Sequence, residues 1–121
     1  MSSWDQVKIA FNPRSKGCYL VTNEVVDKVP QIKDYEIGQL NLFLQHTSAA
    51  LTLNENCDPD VREDMVTSLD RIAPEGDFYI HADEGPDDMP GHVKSATVGI
   101  SHRHARHQRR AVATINGVKR K

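Results

Sequence analysis

Three histidines in the body of the chain, His46, His81 and His92, are its best candidates for chemistry. Each falls at the end of an expected strand or near an expected helix start, where a scaffold presents reactive groups. Three imidazoles brought together could hold Zn²⁺ or a similar divalent ion with one position open to water or substrate. Their wide spacing matches no short zinc motif, and on spacing alone scattered structural histidines are the better account. The acids Glu55, Asp58, Asp60, Glu84, Asp87 and Asp88 could hold Mg²⁺ against a phosphorylated substrate. Asp58 also suits a helix cap, and Asp60 the positive end of the same helix. Thr47 and Ser48 follow His46 with no orienting acid or nucleophile elbow. Their hydroxyls therefore suit a hydrogen bond to phosphate or carboxylate, or a turn, better than nucleophilic attack. No glycine-rich phosphate cradle of the GxxxxGK[ST] or GxGxxG type is present.

The elements that must position these residues follow from periodicity. Val7, Ile9 and Phe11 alternate with mostly polar residues, predicting a first strand, and Cys18-Tyr19-Leu20-Val21 predicts a second after the Pro13–Gly17 turn. Val25, Val26 and Val29 suit a short helix ended by Pro30. Leu40, Leu42 and Leu44 share one face of a strand that opens at Gly38 and ends at His46. Leu51-Thr52-Leu53-Asn54-Glu55 alternates again as a strand, and Phe78-Tyr79-Ile80 is a shorter candidate. Asp58-Pro59 opens a helix carrying Val61, Met65, Leu69 and Ile72, stopped by Pro74. A last helix starts at Asp88 or Met89 and ends at Gly99.

With 121 residues and 38% hydrophobic content, the chain fits one small domain. No apolar run approaches the roughly 20 residues that cross a bilayer. The first residues lack a signal-peptide pattern, so a cytoplasmic protein without membrane partners is expected. Cys18 and Cys57 form no CxxC pair and are expected to be reduced and structural. The formal charge of -2 hides an asymmetry: all 17 acids lie before residue 102, whereas residues 102–121 are basic. Such a tail could bind nucleic acid or another acidic partner. It lacks aromatics for stacking, however, and the acidic body would repel a polyanion.

Two segments resemble a known family. His46-Thr47-Ser48-Ala49 through Asn54-Glu55-Asn56 and Asp58-Pro59-Asp60-Val61 is similar to the HTSA…NEN…DPDV signature of YjbQ-type proteins. Tyr79-Ile80-His81, followed by Glu84-Gly85-Pro86-Asp87-Asp88-Met89-Pro90-Gly91-His92-Val93-Lys94, resembles their second signature, with Gly91 in place of the more usual Ala. Trp4-Asp5-Gln6 and Gly17 to Thr22 also fit. The resemblance implies an α+β fold, an antiparallel sheet sandwich flanked by helices, assembled as a homotrimer. It implies that His46, His81 and His92 share one site, as catalytic groups and as ligands of a divalent metal, Zn or Mg. Thr47, Ser48, Asn54, Glu55, Asp58, Glu84, Asp87 and Asp88 would then line the substrate pocket. The implied activity is secondary thiamine-phosphate synthesis: a thiazole phosphate nitrogen displaces pyrophosphate from a hydroxymethylpyrimidine diphosphate. A non-catalytic metal-binding trimer is the alternative from the same residues.

The resemblance stops near Gly99. The family pattern continues there with a strand like S-L-T-I-P-V-T, a turn, and a strand containing G-T-W-Q-G; here Ser101 to Arg110 is basic and aperiodic. Codon degeneracy lets a one-base shift of residues 101–109 read Leu-Thr-Val-Thr-Pro-Val-Thr-Asn-Gly. The expectation is therefore an incomplete domain over residues 1–100 that lacks its C-terminal strands, and a disordered or frame-altered basic tail over 101–121. Losing two strands would expose apolar surface and strand edges, favouring aggregation and loss of activity.

Overall fold

The computed structural model describes residues 1–46, 48–99 and 110–121, with Arg110 described through its backbone. Its strands are β1 (Ser3–Ala10), β2 (Tyr35–Leu44) and β3 (Arg110–Lys119). Its α-helices are α1 (Thr22–Lys28), α2 (Pro59–Ile72) and α3 (Asp88–Val98), and a 3₁₀ turn over Pro30–Asp34 leads into β2.

The sheet is antiparallel with order β1-β3-β2, so the strand nearest the C-terminus lies at its centre. Ala111, Ala113 and Ile115 face Ile9, Val7 and Asp5 on one side and Leu44, Leu42 and Leu40 on the other. Ala111 and Ala113 are fully buried. Their small side chains let Val25 and Val29 of the α1 segment close on the sheet, in a core completed by Ile9, Tyr35, Leu44 and Ile115. Glu24 anchors this layer. Its carboxylate accepts from Arg14 (2.5 Å), from the Asn12 backbone N–H (2.7 Å) and from Lys28 (2.9 Å).

The second half of the chain packs differently. Asp58 caps α2, its Oδ1 accepting from the Asp60 N–H at 2.9 Å, and Pro59 takes the first helical position. Yet α2 has no buried residue; Val61, Met65 and Leu69 are half-buried, and Ile72 is 65% exposed. Helix α3 is held more firmly. Ser95 is buried and donates to the Ala49 carbonyl at 2.7 Å, and Pro90 is fully buried. Lys94 ties α3 to α2 through Asp70 (2.5 Å), which also pairs with Lys16 (2.8 Å). The two ammonium groups, Lys16 first, hold the Asp70 carboxyl below its ordinary range.

Several expectations change. The α+β class and antiparallel sheet hold, but the described strands form a single sheet rather than two packed layers. Cys18–Val21, Leu51–Glu55 and Phe78–Ile80 are not strands, because none has a partner to complete a hydrogen-bonded ladder among the described residues. Residues 110–119, expected in a disordered tail, form the central strand, so the ordered domain does not end at residue 100. The physical reason is the alternation of Ala111, Ala113 and Ile115 into the core. The expected reading of 101–109 lies outside the described residues. Cys18 and Cys57 are free, as expected, but exposed rather than packed as structural groups.

Candidate metal centre

Asp88 and His92 are one turn apart at the start of α3, so their side chains share a helix face. His81 comes from the loop before α3. It returns to them through a turn in which Gly85 donates its N–H to the Ala82 carbonyl (3.3 Å) and adopts φ +108°, a region open to glycine and strained for other residues. The result is convergent. His81 Nε2 lies 3.0 Å and His92 Nε2 3.1 Å from the same Asp88 oxygen, Oδ2. The imidazoles meet edge to face with ring centres 5.3 Å apart.

One ligand atom from each of His81, Asp88 and His92 falls within 4.8 Å of the others. Ligands on a tetrahedral Zn²⁺ at about 2.0–2.1 Å stand roughly 3.3 Å apart, so the gaps to Asp88 need to widen only slightly to admit an ion. Two imidazoles and one carboxylate suit Zn²⁺ or another first-row divalent ion better than Mg²⁺, which prefers oxygen. Three protein ligands among the described residues would leave a fourth position on such an ion for a further ligand. His81 is the most exposed of the three and also lines an open cleft of about 550 Å³ with Phe78, Tyr79, Ile80, Asp83 and Met89.

His46 is not in this three-ligand group. Its Nδ1 is 3.1 Å from both the backbone N and the Oγ of Ser48. Ser48 nevertheless lies against α3 beside His92, since a Cβ placed on Gly91 would come within 3.2 Å of the Ser48 Cβ. The glycine at this position thus leaves room for Ser48 against the start of α3. Thr47 lies outside the described residues. Asn54, Glu55 and Asp58 are engaged with nearby backbone N–H groups: Asn54 Oδ1 accepts from the Glu55 N–H, Glu55 from the Asp58 N–H, and Asp58 from the Asp60 N–H as it caps α2. Glu84 and Asp87 are exposed, and Asp87 precedes α3 without a side-chain cap bond. Asp88, expected as a substrate contact, is the carboxylate both histidines share. Sequence reasoning passed over Arg62, whose Nη1 is buried with no hydrogen-bond partner among the described residues. Such a guanidinium donor is chemically suited to a phosphate or carboxylate oxygen; its place two residues past Asp60 was the available signal.

Comparison with known proteins gives the chain a family. The family described as "UPF0047 protein YjbQ-like" matches residues 7–115, a span that includes the first half of β3. The UPF0047 protein YjbQ of Escherichia coli O157:H7 is 47% identical over 98 residues, covering 81% of this chain and 71% of that one. A UPF0047 protein of Synechocystis is 32% identical over 118 residues, covering 78% of this chain and 80% of that one. The 118 aligned positions exceed the covered part of this chain by about two dozen, which are residues of the relative without a counterpart here. Among solved structures, a YbjQ-like protein of unknown function from Sulfolobus solfataricus aligns with a TM-score of 0.66 at 16% identity, covering 97% of this chain and 98% of that one. A conserved hypothetical protein from Thermus thermophilus aligns with a TM-score of 0.64 at 23% identity, covering 91% and 94%. At such identities these two share the fold alone. With a family match across most of its length and a relative of this similarity, the chain belongs to the YjbQ-like UPF0047 family.

Proposed function

We propose that this chain carries a divalent-metal site for transfer chemistry on phosphorylated substrates, of the thiamine-phosphate synthase type. The observation that supports it is the convergence of His81, Asp88 and His92 on one point beside an open cleft. A divalent ion bound there would supply positive charge to a leaving pyrophosphate. His81 and His92 would hold it through neutral Nε2 atoms, and Asp88 would offset part of its charge. Phe78, Tyr79 and Met89 would offer the ring-bearing substrate a partly apolar wall. In the reaction a C–N bond forms to the thiazole nitrogen as the C–O bond to pyrophosphate breaks, so binding and orienting both partners is the main task of the protein.

The acidic surroundings favour a metal-dependent reading. Residues 72–93 contain no Lys or Arg, and 75–88 hold six acids. A polyanionic substrate would be repelled from this loop without a cation. Titration of the metal-free protein with Zn²⁺ should give one site per chain, and pyrophosphate release from the two substrates should require the ion. Asp88→Asn should weaken Zn²⁺ binding by on the order of tenfold or more. Unchanged binding in Asp88→Asn and in His92→Ala would remove the site. Tight stoichiometric metal without turnover would instead select the non-catalytic metal-binding protein. The assembly implied by the resemblance, a homotrimer in the cytoplasm, belongs to the same proposal. Binding of acidic partners through a basic tail is less favoured, because Lys119 ends the central strand and pairs with Asp5, and Arg120 donates to the Lys33 carbonyl.

A further inference from the structure

The open cleft beside the metal centre has aromatic walls that are held in place although they face solvent. Tyr79 donates its hydroxyl to the Pro74 carbonyl at 2.7 Å, which anchors its ring. Phe78 leans on that ring, with centres 4.4 Å apart and planes 39° from parallel, yet is 64% exposed. A Cβ on Gly76 would overlap the Phe78 ring, so the glycine leaves the space in which that ring rests. Met89 and His81 also line the cleft, and both adjoin Asp88, Met89 in sequence and His81 through its Nε2. Exposed aromatic faces beside a thioether suit a planar ligand.

The polar groups of the cleft narrow the kind of ring. The Tyr79 hydroxyl is used on Pro74, and His81 Nε2 on Asp88. Asp83 lines the cleft and is exposed, and its carboxylate makes no ion pair or hydrogen bond among the described residues. A carboxylate offers acceptors only. With no Lys or Arg in residues 72–93, this stretch brings no cationic donor to an acid group on a ring. What the cleft can satisfy is a ring that donates.

We propose that this cleft is the ring subsite of the centre, and that Asp83 selects a flat ring carrying an exocyclic amino group. The ring would lie against Phe78 and Tyr79 while its amino N–H groups donate to the Asp83 carboxylate. The assignment rests on the metal-centre reading for the phosphorylated end of the ligand, which the divalent ion would hold. A ring of the same size without the donor would stack as well but leave Asp83 unsatisfied, so the amino group, not the ring, is what Asp83 reads.

The probes are 4-aminopyrimidine and 4-methylpyrimidine, rings of equal size that differ in the amino donor. Each is titrated by NMR into the whole chain, with and without Zn²⁺, at mildly alkaline pH where both rings are neutral. The amino ring should bind the parent about fivefold or more tighter than the methyl ring. Asp83→Asn, at an exposed position, should bring the two affinities to within about twofold of each other. Phe78→Ala should weaken both rings alike and leave their ratio unchanged. Equal affinity of the two rings for the parent, or a ratio that Asp83→Asn leaves intact, overturns selection by Asp83. Binding of neither ring overturns the subsite. Selective ring binding by a chain that takes up no Zn²⁺ sustains the subsite and removes the metal reading instead, whereas stoichiometric Zn²⁺ with no preference between the rings does the reverse.

Discussion

Asp88 serves two imidazoles through one oxygen, and that geometry depends on a single backbone residue. Gly85, at φ +108°, turns the loop so that His81 meets the start of α3. Gly85→Ala should open that turn and weaken Zn²⁺ binding several-fold, while the melt falls by only about 1 kcal/mol of stability; equal affinity for the ion in calorimetry would show that the loop forms without it. Glu24 gives a pH prediction. Burial alone would raise its pKa, but Arg14, the Asn12 N–H and Lys28 outweigh this and lower it from 4.5 to about 2. A lowered carboxyl contributes stability above its unfolded value and loses it as pH falls through the folded one. Stability should therefore decline between about pH 4.5 and 2, and Glu24→Gln should flatten that decline in acid melts. The cap at Asp58 was legible from Asp58-Pro59, whereas spacing alone favoured scattered histidines, and it was the family resemblance that singled out His81 and His92 together with His46, and Asp88 as a substrate contact. What spacing could not show is that Asn54, Glu55 and Asp58 use their side chains on nearby backbone N–H groups. Local hydrogen bonds compete with a ligand for such acceptors, and nothing in a residue's identity says which wins.

At the scale of elements, the helices were readable to within a residue or two because their caps, prolines and apolar spacing agree. The central strand was hidden. Ala111-Val112-Ala113-Thr114-Ile115 alternates as a strand should, but it sits among seven cations in residues 102–121, and charge dominated the reading. Ala also ranks low as a strand former, and its use here reflects packing against α1, a tertiary effect. The same strand supplies a sharp test. A Cβ on Gly117 would lie 2.1 Å from the Ile37 carbonyl oxygen, next to the irregular pairing between Tyr35 and Ile37. Gly117→Ala must push β2 away from β3, and a loss of roughly 1–3 kcal/mol is expected in denaturant melts. An unchanged midpoint would mean that this part of the ladder does not hold in solution.

For the whole molecule, the balance between covered and open surface decides behaviour. One sheet face carries the core with α1; on the opposite face Trp4, Ile37 and Val118 are exposed, and the outer edges of β1 and β2 are unpaired within the described sheet. An apolar patch beside open backbone groups favours pairing with another chain. The chain alone should therefore associate as its concentration rises through the micromolar range, visible as increasing mass in light scattering. The form of that increase is informative. A closed assembly reaches a plateau at a small number of copies, whereas heterologous edge pairing continues to grow. Ile37→Lys separates surface from fold, because Ile37 is 70% exposed and a lysine there costs little within one molecule. It should reduce the mass at high concentration and leave the melt at low concentration unchanged. If Ile37→Lys associates as strongly as the parent, the contact lies elsewhere, and Leu53, 99% exposed, becomes the next residue to charge.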